Sequence, residues 1–274
     1  MIRLVADSSC DVYILPGVDF RAVPLHISTD DGRAFIDDPE LNVGEMVDCL
    51  HSYKGRSYTA CPSVAAWLEA FEGADTVYVV TITSGLSGSY NSAKVAADLY
   101  QQASPEASVH VFDSLSTGPE ELLLLEKLRE LVNAGLEFEE VIRQAEDYMR
   151  HTRLFFSLHN LAQNGRIGKV TAAAVSVMNI RVIGTASPEG TLATIGKARG
   201  DKRAEAVILE QMQEAGYQGG KIRITHVQNE GVAQDLAARL RGHYPDADIS
   251  VAVSGGLCSY YAEKGSLLIG LETK

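Results

Sequence analysis

The stretch Thr81-Ile82-Thr83-Ser84-Gly85-Leu86-Ser87-Gly88-Ser89-Tyr90-Asn91-Ser92-Ala93 constrains this chain more than any other. Before it, residues 76–82 (TVYVVTI) are β-branched and apolar, the pattern of a buried strand. After it, Asn91 to Tyr100 repeats apolar residues at helical spacing (Ala93, Val95, Ala96, Leu99) without proline or glycine. A strand, a loop of Ser, Thr and Gly, and a helix therefore follow one another. Glycine lets backbone approach a ligand, hydroxyls add donors, and the first turn of a helix has N–H groups without partners. Together they make a small anion site. The loop alone leaves open whether the anion is a phosphate or a carboxylate.

The rest of the chain narrows the class. Its 274 residues leave room for two domains or one large α/β domain. A formal net charge of -12, from 24 Lys+Arg against 36 Asp+Glu, argues against a general affinity for nucleic acid, which needs clustered basic residues. The apolar runs, such as Leu122 to Leu125, are far too short to cross a bilayer, and the N-terminal residues carry a strand pattern where a signal peptide has a long apolar run. A cytoplasmic protein is expected. Cys10, Cys49, Cys61 and Cys258 form no CxxC pair, and reduced thiols are expected for them.

Elements alternate regularly up to about residue 153. Arg3 to Asp7 reads as a strand ending in an Asp/Ser turn, and Phe20 to Ile27 as a second strand followed by an acidic hairpin around Asp30-Asp31-Gly32. Helices are expected over Val43–Ser52 and Ser63–Glu72, the second started by Pro62 and Ser63. The strand at 76–82, the helix at 91–101 and a strand over Ser108–Asp113 have the spacing of a parallel β-α-β unit. Helices over Glu120–Asn133 and Glu139–Thr152 complete an α/β domain over residues 1–153, with a mainly parallel, Rossmann-like sheet. Residues 154–274 have shorter strands and tighter turns. A turn at Asn160–Gly165, a small-residue helix at Thr171–Met178 and paired strands at Asn179–Ala186 and Gly190–Lys197 suggest an α+β domain with a mixed or antiparallel sheet.

The ordered series DSSCD (7–11), VPLHI (23–27), TACPS (59–63), TITSGLSGSYNSA (81–93), VFDSLSTG (111–118), NLAQNGRIGKVTA (160–172) and GKARGDKRA (196–204) resembles the DegV family from residue 1 to about 240. Its members are bacterial fatty-acid-binding proteins that present an acyl chain to a fatty acid kinase. The resemblance implies a long-chain fatty acid as ligand, no further cofactor and no metal, and a fatty acid kinase as partner. It places the ligand carboxylate on Thr59 and Ser87, with the Gly88 amide as a backbone donor. Neutral hydroxyls suit a carboxylate, because hydrogen bonds to an ionised acceptor are roughly twice as strong as neutral ones. The plainer reading of Ser87 is a helix cap bonding its own backbone.

An acyl chain needs an apolar tunnel, expected in a cleft between the two domains. The candidate lining is Leu25, Ile27, Ala93, Ala96, Leu122, Leu158, Ala172, Val175, Met178 and Ile180. Arg166 resembles a family arginine at the ligand mouth and partner contact; its plainer reading is a solvated turn residue. Arg199, Lys202 and Arg203 form a basic patch suited to an acidic kinase surface or to transient contact with an anionic membrane face. Their plainer reading is an exposed loop and an ordinary helix start.

The chain departs from the family pattern in three places. TACPS stands where relatives carry TSQPS, Pro119-Glu120-Glu121 stands at a usually glycine-containing helix start, and Val253 to Tyr261 (VSGGLCSYY) replaces a GTHTGPG-like loop. The histidine that some relatives bring from that loop has no equivalent, and Ser254 or Tyr260 is the candidate substitute. The seven histidines show no HxxxH or HExxH pairing, and neither a G-x-S-x-G elbow nor a P-loop occurs. A non-catalytic lipid carrier is therefore expected. The alternative is a phosphoester hydrolase or phosphate-ligand enzyme using Asp7 and Asp113 at strand ends beside the loop, and a third reading is a ligand sensor signalling through the basic patch.

Overall fold

The computed structural model describes residues 1–159 and 179–273. Strand β1 (Ile2–Asp7) leads through a 3-10 turn (Ser8–Cys10) to β2 (Asp19–Val23), β3 (His26–Thr29) and β4 (Ala34–Ile36). Helix α1 (Val43–Ser52), β5 (Ser57–Ala60), α2 (Val64–Phe71), β6 (Thr76–Thr81), α3 (Ser89–Ala103) and β7 (Ser108–Asp113) follow, then α4 (Pro119–Asn133) and α5 (Phe138–Met149). The remainder runs β8 (Thr152–Leu158), β9 (Ile180–Ala186), β10 (Leu192–Arg199), α6 (Asp201–Glu214), β11 (Ile222–His226), α7 (Glu230–His243), β12 (Ile249–Val253), α8 (Gly256–Ala262) and β13 (Leu267–Glu272).

Strands in the order β2-β1-β6-β7 form an all-parallel sheet, and α3 is the crossover between its neighbours β6 and β7. The chain leaves β1 for β2 on one side, and β6 lies on the other. The C-terminal ends of β1 and β6 therefore flank a crevice where open α/β sheets receive ligands. A six-stranded mixed sheet has the order β10-β9-β8-β13-β11-β12, and a small antiparallel sheet the order β4-β3-β5. The fold is thus mixed α/β with a parallel sheet and a separate mixed one.

The single strand expected over Phe20–Ile27 is in fact two, belonging to different sheets. Pro24 interrupts it, because proline has no N–H to give to a ladder. β2 stays in the parallel sheet, while β3 crosses to the small one, pairing Ile27 with Thr59. Thr59 follows from that register: Ser57 and Thr59 face inward, half-buried, while Tyr58 and Ala60 face solvent.

Strand β8 is buried on both faces and divides its side chains between two environments. Phe155 joins Ile183, Ile208, Met212, Leu236 and Leu240 in the core under α6 and α7. Leu154, Phe156 and Leu158 point the opposite way, beside Leu268 of β13, which pairs with Phe156. Helix α4 packs on both large sheets. Gly270 makes this close contact possible, since a side chain there would meet the backbone of Pro119 and Glu120. Arg223 of β11 adds a buried two-pronged bond to Glu126 of α4, both oxygens at 2.9 Å.

Candidate functional site

Residues 82–88 connect β6 to α3 at the C-terminal edge of the parallel sheet, and groups behind them hold the loop. Fully buried Asp7, at the end of β1, accepts hydrogen bonds from Ile82 N at 3.1 Å and from the Ser89 hydroxyl. Asp113, at the end of β7, accepts from Ser84 N at 2.9 Å and Leu115 N at 3.3 Å. The Thr83 hydroxyl accepts from Gly85 N at 3.1 Å and donates to Gly190 O at 2.8 Å, which ties the loop to the hairpin between β9 and β10. Gly190 has a positive φ of 73°, and a side chain there would run into Thr83. Burial pushes the Asp7 carboxyl above its usual range, against the pull of its bonds from Ser89, Ser9 and Ile82.

In front of this frame lies a cavity of about 620 Å³, within the roughly 300–1,000 Å³ usual for small-molecule sites. Its lining divides by chemistry. Thr59, Ser84, Ser87, Gly88 and Asn91 form a polar end, and Leu154, Phe156, Leu158, Leu192 and Leu268 an apolar one. Leu25, Ile82 and Leu257 make a small buried cluster between them, with Cys61 and Tyr261 packed against it. Ser84, Gly85 and Gly88 are exposed and Ser87 and Thr59 half-buried, so the polar end is the end that opens to solvent. Among the described residues no Lys or Arg lines the cavity. The ionisable carboxyl in its wall is Glu263, which burial pushes up to about 7.

The polar end offers unspent donors. Ser87 Oγ accepts from Ser89 N at 3.2 Å, the local bond of the plainer reading. A hydroxyl that accepts still has its proton to give, so capping and ligand binding use different parts of the same group. Gly88 opens the fifteen-residue helix α3 without a side-chain cap, and its N–H has no acceptor among the described residues. The partial positive charge of a helix start favours an anion there. Thr59 Oγ1 lies 2.7 Å from the Tyr261 hydroxyl.

Thr59, Ser87 and Gly88 therefore meet at one end of one cavity. Ser254 is buried, donates to the Thr225 hydroxyl at 2.9 Å and lies outside the cavity wall. Tyr260 bonds Ser57 at 2.8 Å and also lies outside it. Arg166 falls outside the described residues, as do the turn at 160–165, the helix at 171–178, and Ala172, Val175 and Met178. Arg199, Lys202 and Arg203 are exposed at the end of β10 and the start of α6, away from the cavity wall. Neither Asp7 nor Asp113 lines the cavity, and both already hold backbone donors of the loop. Among the described residues no group of His, Cys, Asp and Glu is arranged to hold a metal ion, and no helix is long and apolar enough to cross a membrane.

Of the ten apolar positions expected to line a tunnel, Leu25 and Leu158 do so. Ile27, Ala93 and Ala96 are ordinary core, Leu122 packs behind the parallel sheet, and Ile180 lies in β9 outside the wall. Sequence reading missed Leu154 and Phe156, whose alternation with Leu158 was visible in the 153–158 run. It also missed Tyr261: Leu257, Cys258, Tyr261 and Ala262 repeat at helical spacing in a stretch read as a loop.

Fold and cavity define an α/β protein with an amphiphilic cavity between a parallel and a mixed sheet. The chain belongs to the DegV family: the family model described as "Uncharacterised protein, DegV family" matches residues 1–274. A DegV domain-containing protein of Streptococcus pneumoniae is 42% identical over 277 residues, covering 98% of each chain. Among solved structures, a DegV family protein from Eubacterium eligens loaded with heptadecanoic acid is 50% identical, with a TM-score of 0.97 over 100% of both chains. The Streptococcus pneumoniae fatty acid kinase (Fak) B3 protein loaded with linoleic acid is 41% identical, with a TM-score of 0.96 over 100% of this chain and 99% of that one.

Proposed function

We propose that this protein binds a long-chain fatty acid, with its carboxylate on Thr59, Ser87 and the Gly88 amide and its acyl chain among Leu154, Phe156, Leu158, Leu192 and Leu268, and presents the head group to a fatty acid kinase. The carrying observation is the division of one cavity into neutral donors at its open end and aliphatic and aromatic side chains at its closed end. A carboxylate is an acceptor only, and three convergent donors satisfy it without a basic residue. Each buried CH₂ adds about 0.8 kcal/mol, so the chain supplies retention and the hydroxyls supply orientation. Relatives loaded with heptadecanoic and linoleic acid support the ligand class, and the kinase in the second relative's name supports the partner.

In this reading residues 1–153 and 154–274 act as two cytoplasmic domains closing on the ligand. Arg199, Lys202 and Arg203 provide an exposed surface for the kinase or, transiently, for a membrane face, and the protein carries rather than transforms its ligand. The test is mass spectrometry of an organic extract of the purified chain. The expected result is a set of long-chain free acids at near-stoichiometric amount. Absence of any acyl species, together with no thermal protection by added acid, overturns the reading.

A further inference from the structure

Helix α8 lays two consecutive tyrosines on one face of β5. Ser57 and Thr59 are two residues apart and share that face; the Tyr260 hydroxyl meets Ser57 Oγ at 2.8 Å and the Tyr261 hydroxyl meets Thr59 Oγ1 at 2.7 Å. The two rings stand edge to face, with centroids 4.8 Å apart and planes at 81°. The helix that carries them is fixed at its start by two acids, Asp11 and fully buried Asp37. Asp11 accepts from Gly255 N at 2.8 Å, and Asp37 from Gly256 N at 2.6 Å and Leu257 N at 2.9 Å. Only the second of the two tyrosines lines the cavity.

The Tyr261–Thr59 contact has a preferred direction. Each hydroxyl owns one proton and two lone pairs. A phenol, with a pKa near 10, is a much stronger acid than an aliphatic alcohol, so it is the better donor. With Tyr261 donating, Thr59 Oγ1 is the acceptor, and its own proton is turned away from the tyrosine toward the open end where Ser87 and Gly88 converge.

We infer that Tyr261 is a positioning residue of the head-group site: its phenol donates to Thr59 and makes the Thr59 hydroxyl a fixed outward donor, which selects an ionised carboxylate over a neutral head group. This rests on the carboxylate position given under Proposed function. A carboxylate takes all the donors it is offered, whereas an alcohol needs an acceptor for its own proton. A fixed donor therefore helps the acid and leaves the alcohol largely unaffected.

The test compares palmitic acid with cetyl alcohol by calorimetric titration of the delipidated full chain. Tyr261→Phe keeps the ring and its packing and removes only the hydroxyl. It is expected to weaken acid binding about five- to tenfold and alcohol binding less than twofold, by analogy with the loss of one neutral hydrogen bond. Thr59→Val is expected to weaken acid binding at least as much, and adding Tyr261→Phe to it should cost no more. Tyr260→Phe removes the same kind of bond from the same helix outside the cavity, and acid affinity should stay within twofold of wild type.

Four results overturn the inference. These are an unchanged acid affinity in Tyr261→Phe, an equal loss for acid and alcohol, an equal loss in Tyr260→Phe, or full additivity with Thr59→Val. If Thr59→Val itself leaves acid binding intact, the carboxylate position fails as well, which separates the two failures.

Discussion

The two ends of the cavity are made by different physics. At the open end each directed group is fixed by a partner behind it: Ile82 and Ser89 by Asp7, Ser84 by Asp113, Thr83 by Gly190, Thr59 by Tyr261. At the closed end Leu154, Phe156 and Leu268 offer surface from two paired strands, with no directed contact to a ligand. Hydrogen bonds weaken steeply with angle and distance, whereas burial scales with area and has no direction. The open end therefore depends largely on residues outside the cavity wall, and the closed end on the volume of residues within it.

Asp7→Ala strikes that contrast hardest. It removes the acceptor of two backbone N–H groups, those of Ser9 and Ile82, and of the Ser9 and Ser89 hydroxyls, all inside the protein. Buried groups left without partners cost about 1–3 kcal/mol each, and partial relaxation brings the expected loss of unfolding free energy to about 3–5 kcal/mol, with head-group binding lost in step. Urea unfolding read beside the acyl content of the purified variant checks both. Wild-type stability with a full load of acid would mean that the open end is not held from behind.

Asp11→Asn sharpens the comparison behind helix α8, which carries Tyr261. Asp11 accepts from Gly255 N at 2.8 Å and from the Thr225 hydroxyl at 3.0 Å, and burial pushes its carboxyl from 3.8 up to about 7. The folded protein thus holds this proton more tightly than the unfolded chain. Its stabilising share is complete below about pH 4 and is lost as pH rises through about 7. About three units at roughly 1.4 kcal/mol each set an upper bound near 4 kcal/mol. Asparagine keeps an oxygen for Gly255 and tolerates the left-handed backbone (φ 62°), but it does not titrate. Urea midpoints from pH 4 to 8 should fall more steeply for wild type than for the variant. Asp7, Asp37 and Glu121 are common to both proteins, so parallel curves would remove Asp11 from the account.

Leu154→Trp tests the closed end and has the smallest expected effect. The larger ring occupies space at the end of the cavity, and each CH₂ it excludes forfeits about 0.8 kcal/mol. Loss of two methylenes should lower retention of the longest bound acids about fifteenfold while shorter acids bind as before. The chain-length distribution in the extract gives the answer. An unchanged distribution would place the acyl terminus elsewhere.

Most of the framework was legible because long periodic segments carry their own signal. Val43–Ser52 and Ser108–Asp113 fall at the expected residues. Short elements were not, since a three- or four-residue strand such as β4 or β5 holds too few side chains to show a period and exists only through its neighbours. At the site, the loop between β6 and α3 could be read from its residues, but the place of Thr59 beside it came from the family resemblance. That Asp7 and Asp113 serve the loop from behind was hidden, because an acid at a strand end reads alike whether it faces a ligand or a backbone amide. The apolar wall was misassigned for a similar reason: one leucine in a buried strand gives no sign of which sheet face is its own.

Ser9 has one hydroxyl proton and two carboxylates against it, Asp7 on one side and Glu121 at 2.7 Å on the other. The geometry works only if one acid brings a proton of its own, and burial, with the charge of Asp7, pushes Glu121 well above the usual carboxylate range. A proton there would leave one fewer negative charge beside the loop that Asp7 and Asp113 hold from behind. Each further charge there would repel an acid approaching the open end. A proton held on Glu121 would therefore help make that loop hospitable to negative charge from a place outside the cavity wall.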